Sequence, residues 1–219
     1  MFNLLHPFVS CFGGCMTIPE VITVVKDLLL GAAAVTTAIV AVVGLKSWSR
    51  ELRGKTEFEA ARNLIRATYR VGDALQNSRA PLISAGEFPP DYPGSEAATV
   101  EQEVQAWSHV YKNRWGPVRE ALQEFETYVL EAQALWGSSI RKKTDELRQC
   151  VRELQVAVEA IINDKVQRGE NFNTDKDFGK ATRSIAHASR SDENNGLNQK
   201  IRAAVEAIED EVRPHLRRK

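Results

Sequence analysis

The chain has 219 residues, with 29 Lys and Arg against 29 Asp and Glu, so its formal net charge is zero. A neutral total gives no drive toward polyanions, and three cysteines, of which only Cys11 and Cys15 lie close together, exclude a disulfide-stapled secreted class. The apolar and charged residues are strongly segregated: Leu28 to Leu45 carries no charged side chain, whereas Arg141 to Lys219 holds 17 basic and 14 acidic residues.

Residues 1–17 read as a leader, with Met16 as an alternative translation start. Thr17-Ile-Pro-Glu20 fits a capping box, Thr17 being the N-cap and Glu20 the third helical position, with Pro tolerated in the first turn. Cys11 and Cys15 would pair or be acylated if exported, but Phe8-Val9-Ser10-Cys11 lacks the basic region of a lipoprotein signal.

Residues 18–46 are predicted to form a transmembrane anchor. The uncharged segment from Leu28 to Leu45 has 18 residues. At a rise of about 1.5 Å per residue it spans roughly 27 Å, near the thickness of a hydrocarbon core. It is apolar all round, unlike a soluble amphipathic helix. Lys46, Arg50, Arg53 and Lys55 follow it, whereas Lys26 is the one Lys or Arg before it. This excess sets the topology, with the N-terminus outside and the C-terminal domain cytoplasmic. Ala33, Thr37 and Ala41 recur at four-residue steps, a small-residue face through which spans can pack.

Residues 47–80 continue as a juxtamembrane helix, with Phe58, Ala61, Ile65, Thr68, Gly72 and Leu75 on one face. Lys46 to Ala80 holds eight basic and four acidic residues, read as a solvated helix face that also sets topology. Residues 81–95 form a Pro-rich loop that redirects the chain, and its Phe88 and Tyr92 are expected to pack over the bundle end or meet a partner.

Residues 96–219 form a helical bundle domain. One apolar stripe runs from Val100 through Trp107, Trp115 and Phe125 to Trp136, with a kink or break expected at Gly116-Pro117 and at Gly137. A second runs from Ile140 to Val166 and a third from Leu197 to Val212, ahead of Pro214 and the basic tail Arg217-Arg-Lys219. Gly169 to Gly179 reads as a polar loop. Its Asp175-Lys-Asp177 resembles a fragment of a calcium loop but lacks the required Gly and terminal Glu. No strand pattern is evident. The expected fold is all-α: one N-terminal transmembrane helix, then a bundle or coiled-coil-like cytoplasmic domain.

Local motifs for chemistry are missing. There is no phosphate-cradling Gly-rich loop, no His-Glu-x-x-His and no Gly-x-Ser-x-Gly, and His6, His109, His187 and His215 are mutually isolated. No catalytic residue, metal site or cofactor is expected, although an enzyme assembled from dispersed residues remains a separate class. The acidic stretch from Pro81 to Ile140, nine acidic against three basic, lies between net-basic segments, a pattern that favours antiparallel pairing over a nucleic-acid groove.

The sequence therefore predicts a non-enzymatic, single-pass, membrane-anchored interaction or scaffold protein that self-associates or docks a cytoplasmic partner. The alternative is a membrane-disturbing effector, toxin-like or defensive, whose spans oligomerise. The expected partners are the lipid bilayer, further copies of the chain and an unidentified protein, with no nucleic acid.

Overall fold

The computed structural model describes residues 18–216. The leader with Cys11, Cys15 and Met16, the Thr17 cap and the tail Arg217–Lys219 lie outside the described residues. Six helices follow in order: α1 (Ile18–Ser78), α2 (Val100–Trp136), α3 (Ser139–Val166), α4 (Glu170–Thr174), α5 (Lys176–Ala186) and α6 (Gly196–Leu216), with a 3-10 turn at Ala85–Glu87. No strand occurs among the described residues. The chain divides into two units, Met1–Arg53 and Gly54–Lys219, and α1 crosses the division.

In the first unit, α1 is long and apolar enough by length and composition to cross a membrane, and none of its apolar window is buried.

In the second unit, the later turns of α1 join α2, α3 and α6 around one core. Paired side chains give the directions. Arg70 on α1 bonds Glu124 on α2, while Arg114 reaches the Ala80 carbonyl at 2.6 Å, so these helices run antiparallel. Arg148 with Glu126 and Lys165 with Glu103 set α3 antiparallel to α2. Lys200 with Glu153 and Ser139 with Glu211 do the same for α6 against α3. Near the chain's C-terminal end, His215 lies 3.6 Å from Glu57 and stacks on Trp136 with ring centroids 4.2 Å apart. The result is a four-helix bundle in which each neighbouring pair is antiparallel.

The core explains why these helices pair. Leu64, Leu75, Phe125, Ile140, Leu147, Leu154 and Ile208 are wholly or almost wholly buried. Each large aliphatic or aromatic side chain stabilises by roughly 1.5–3 kcal/mol on burial, whereas an exposed ion pair contributes about 0–1 kcal/mol. Hydrophobic burial therefore holds the bundle, and the charge pairs select its register. The stripes of α2, α3 and α6 are covered within this one chain, so a second copy is not needed to complete the core.

Several elements depart from the sequence-based expectation. Helix α2 begins at Val100, because Thr99 accepts the Gln102 N–H and Gln102 returns to the Thr99 N–H. The Pro-rich loop correspondingly runs on past residue 95 and contains the 3-10 turn. Gly116-Pro117 does not break α2. Pro117 is exposed, so the carbonyl it leaves unbonded one turn earlier can be solvated, while Val110, Val118 and Ala121 remain anchored in the core. Gly137, at φ 83°, does end the helix. Gly169 to Gly179 is not a loop: Gly169 turns the chain at φ 83°, α4 buries Phe172, and the Asp175 carboxylate caps α5 by accepting the Phe178 N–H at 2.9 Å. Pro214 lies within the final turn of α6 rather than beyond the helix.

Candidate functional site

Leu28 and Leu45, the ends of the predicted span, are 69% and 63% exposed on α1. Between them Val35, Ile39, Val40, Val42 and Val43 are also exposed. Ala33, Thr37 and Ala41 share one face of the helix through their four-residue spacing. The Thr36 and Thr37 hydroxyls donate to the Ala32 and Ala33 carbonyls, each at 2.8 Å. This matters chemically, because a hydroxyl spent on its own helix carries little penalty in an apolar surrounding. Before the segment, Lys26 and Asp27 approach to 3.9 Å. After it, Lys46, Arg50, Arg53 and Lys55 are exposed on the same helix, with Trp48 among them.

The bundle contains a second unusual feature, which charge counting along the sequence misread. Arg79, grouped with the solvated basic face, is completely buried just beyond α1. Its Nε donates to the Ile185 carbonyl at 2.6 Å, and Nη2 donates to the Ser184 carbonyl at 3.3 Å and to Asn195 Oδ1 at 2.8 Å. Nη1 donates to Asn198 Oδ1. No carboxylate pairs with it directly among the described residues. Burial therefore pushes the guanidinium below its ordinary pKa, partly countered by the more distant Glu153 and Asp192. Asn195 and Asn198 are held in turn, Asn195 Nδ2 donating to Ser184 and Asn198 Nδ2 to the Ser189 and Asp192 carbonyls. The cluster ties α1, α5 and the start of α6 together.

Beside it runs a line of aromatic rings. Phe88 stacks on Tyr92 at 5.0 Å and meets Trp107 edge-on at 5.5 Å; Trp107 then neighbours Tyr111 at 5.9 Å. The loop aromatics thus pack onto the bundle. Lys165 Nζ sits 4.3 Å above the Trp107 ring and bonds Glu103 at 2.8 Å, so that cation is already engaged twice. Tyr111 Oη lies 2.8 Å from His187 Nε2. His187 Nδ1 is buried with no partner, and burial together with Arg114 and Arg79 lowers the ring's pKa. Burial raises that of Tyr111.

The remaining candidates do not converge. His109 is exposed and bonds Asn113 at 2.8 Å, one turn away. Cys150 is a buried free thiol, pushed up to about 11 chiefly by burial and therefore protonated at neutral pH. Among the described residues no three His, Cys, Asp or Glu side chains gather as a metal site. Trp115 and Trp136 pack partly buried against the core. A groove of about 490 Å³ between α2 and α3 is lined by Tyr111, Trp115, Val158 and Ile162, with Lys112 and Glu159 at its rim. Sequence reading missed the groove and the Arg79 cluster alike, since both are made by side chains far apart in the chain. The one available signal was Asn195 and Asn198 flanking the start of α6, where Asn195 Oδ1 accepts the Asn198 N–H at 3.1 Å.

No family model, curated protein or solved structure matches this chain.

Proposed function

We propose that the chain is a non-enzymatic, single-pass membrane protein that crosses the bilayer with residues 28–45 of α1. The N-terminal side lies outside and the bundle is cytoplasmic, where it docks a protein partner or further copies of itself. The observation that carries this reading is the exposed apolar surface of α1, from Leu28 to Leu45. In water such a continuous surface would drive aggregation, and the bundle core is already filled without it. The satisfied Thr36 and Thr37 hydroxyls and the cations that follow the segment support the same assignment and the inside position of the bundle. Cations on the bundle, among them Arg70, Arg148, Lys165 and Lys200, are paired with carboxylates, which supports a protein rather than a nucleic-acid partner.

Ultracentrifugation of the expressed full chain tests the assignment. It should sediment with membranes, resist alkaline carbonate and dissolve only in detergent. Release of a monodisperse full-length chain without detergent would overturn it. Self-association through Ala33, Thr37 and Ala41 is tested by replacing all three with Ile in a membrane two-hybrid assay, where the signal should disappear; an unchanged signal rejects that face.

The same small-residue face favours a second reading, an effector whose spans assemble and disturb the bilayer. Loss of membrane potential on induced expression, reversed by deleting residues 28–45, would select it over the scaffold.

A further inference from the structure

Helices α4 and α5 cover an apolar cluster of their own. Phe172 and Ala186 are buried there against Tyr111, Ala157 and Ile161 of α2 and α3. The lower end of α5 is fastened at two places. Tyr111 Oη bonds His187 Nε2 at 2.8 Å, and the Ala188 N–H donates to the Arg79 carbonyl at 3.0 Å.

The His187 ring is set among cations. Arg79, beyond α1, bonds the Ser184 and Ile185 carbonyls of α5, and Arg114 approaches from α2. Glu87, from the Pro-rich loop, is committed to Arg114, while Asn195 and Asn198 at the start of α6 present neutral amides. Glu153 of α3 and Asp192 before α6 act on Arg79 from farther away. No carboxylate pairs with the imidazole among the described residues, and the buried Nδ1 has no acceptor for a second proton.

We propose that α4 and α5 form an acid-sensitive lid, in which protonation of His187 places an unpaired charge in the buried pocket beside Tyr111, so that the segment releases and uncovers the apolar surface of α2 and α3. The adjoining groove shares Tyr111, Val158 and Ile162 with the covered cluster, so opening lengthens an apolar channel already present on the bundle. The direction follows from proton linkage. In the closed state His187 titrates below its ordinary value of 6.5. In the open state it returns toward that value and binds a proton more readily. Closure is therefore undiminished above about pH 6.5, and the open population rises as pH falls below it, by at most about tenfold per pH unit for one proton.

Hydrogen exchange of the full chain in nonionic detergent, at about pH 7.5 and about pH 5.5 and corrected for intrinsic rates, tests the lid. Peptides covering residues 170–190 should lose protection at the lower pH, by up to about tenfold, while those from the middles of α2 and α3 keep theirs. His187→Gln, which retains a polar partner for Tyr111 but does not titrate, should abolish the response. Unchanged protection in the wild type, or equal loosening in wild type and His187→Gln, overturns the proposal. If that variant does not fold, Arg114→Gln supplies the second arm: removing one neighbouring cation brings the closed-state value of His187 nearer its ordinary one, so the loosening between the two pH values should shrink, and a response as large as the wild type's overturns the proposal equally.

Discussion

Arg114 and Glu87 form a two-point pair, Nε to Oε2 at 2.5 Å and Nη2 to Oε1 at 2.9 Å, that closes the Pro-rich loop onto α2. The same guanidinium donates to the Ala80 and Leu82 carbonyls at 2.6 and 2.7 Å. A single side chain thus satisfies two backbone acceptors and one carboxylate in a segment whose prolines cannot form a helix.

Glu87→Gln should lower the stability of the bundle by about 1–2 kcal/mol, because it removes the charge from a partly buried bidentate pair. Arg114's hydrogen bond lowers the Glu87 carboxyl from 4.5 to about 2. Its contribution is therefore complete above pH 4.5 and is lost as pH falls toward 2. Urea denaturation of the wild type and variant, followed by tryptophan fluorescence, should show a gap at pH 6 that closes by about pH 2; a gap independent of pH would contradict the linkage.

Arg79→Met should destabilise by about 2–4 kcal/mol, since it takes the side-chain donors from Asn198 Oδ1 and the Ile185 carbonyl in a buried site and removes one of the bonds to Asn195 Oδ1 and to the Ser184 carbonyl. Arg79→Lys should recover little of this. One ammonium cannot reproduce the planar fork that reaches all four acceptors. Thermal unfolding of the three proteins provides the comparison, and near-equal melting of wild type and Lys variant would show that charge alone suffices.

The two helical glycines Gly179 and Gly116 should respond oppositely to alanine. A Cβ at Gly179 would meet Phe172 Cβ at 2.8 Å, so Gly179→Ala forces α4 and α5 apart and should cost about 1–3 kcal/mol. At Gly116 a Cβ meets nothing within 4 Å, and Gly116→Ala should be neutral or stabilise by up to about 1 kcal/mol. Denaturation midpoints check both signs, and limited proteolysis should locate the first effect near residues 170–186.

Cys150 should resist alkylation in the native protein. The residue is 3% exposed and burial raises its thiol to about 11, so little thiolate is present at neutral pH. Peptide mapping after iodoacetamide treatment should show modification at Cys150 only when urea is added. Rapid native labelling would reveal local opening of α3.

Charged substitutions within α1 should separate the proposed anchor from the fold. Val35→Asp with Ile39→Asp should reduce membrane retention strongly, at a cost of roughly 2.5–3.5 kcal/mol for each charge near a bilayer centre. The bundle's circular-dichroism melt should be unchanged, because both positions lie in the unit Met1–Arg53 and outside the core. Fractionation and melting of the same preparations test the two parts of this expectation.

Periodicity located the long helices well, and Gly137 marked a true boundary, since its φ of 83° suits a residue without Cβ. The same reasoning overvalued Pro117, whose missing N–H is tolerated on an exposed face while its neighbours are held by the core. It undervalued residues 169–179, where Asn, Asp and Gly outnumber apolar residues and obscure Phe172, the side chain that makes α4 and α5 pack. Composition also treated Arg79 as one more exposed cation. Its acceptors lie on Ser184, Ile185, Asn195 and Asn198, more than a hundred positions along the chain, and nothing local announces them.

By itself the amino-acid order determined that the protein is helical and that one stretch near its beginning is apolar on every side, because both properties depend on side-chain type and spacing along a single helix. Which charges are buried, that α4 and α5 exist as a cover, and that Tyr111 meets His187 were decided only by the tertiary structure. Those outcomes depend on desolvation and contact between helices, and no local pattern encodes the neighbour that a folded chain will supply.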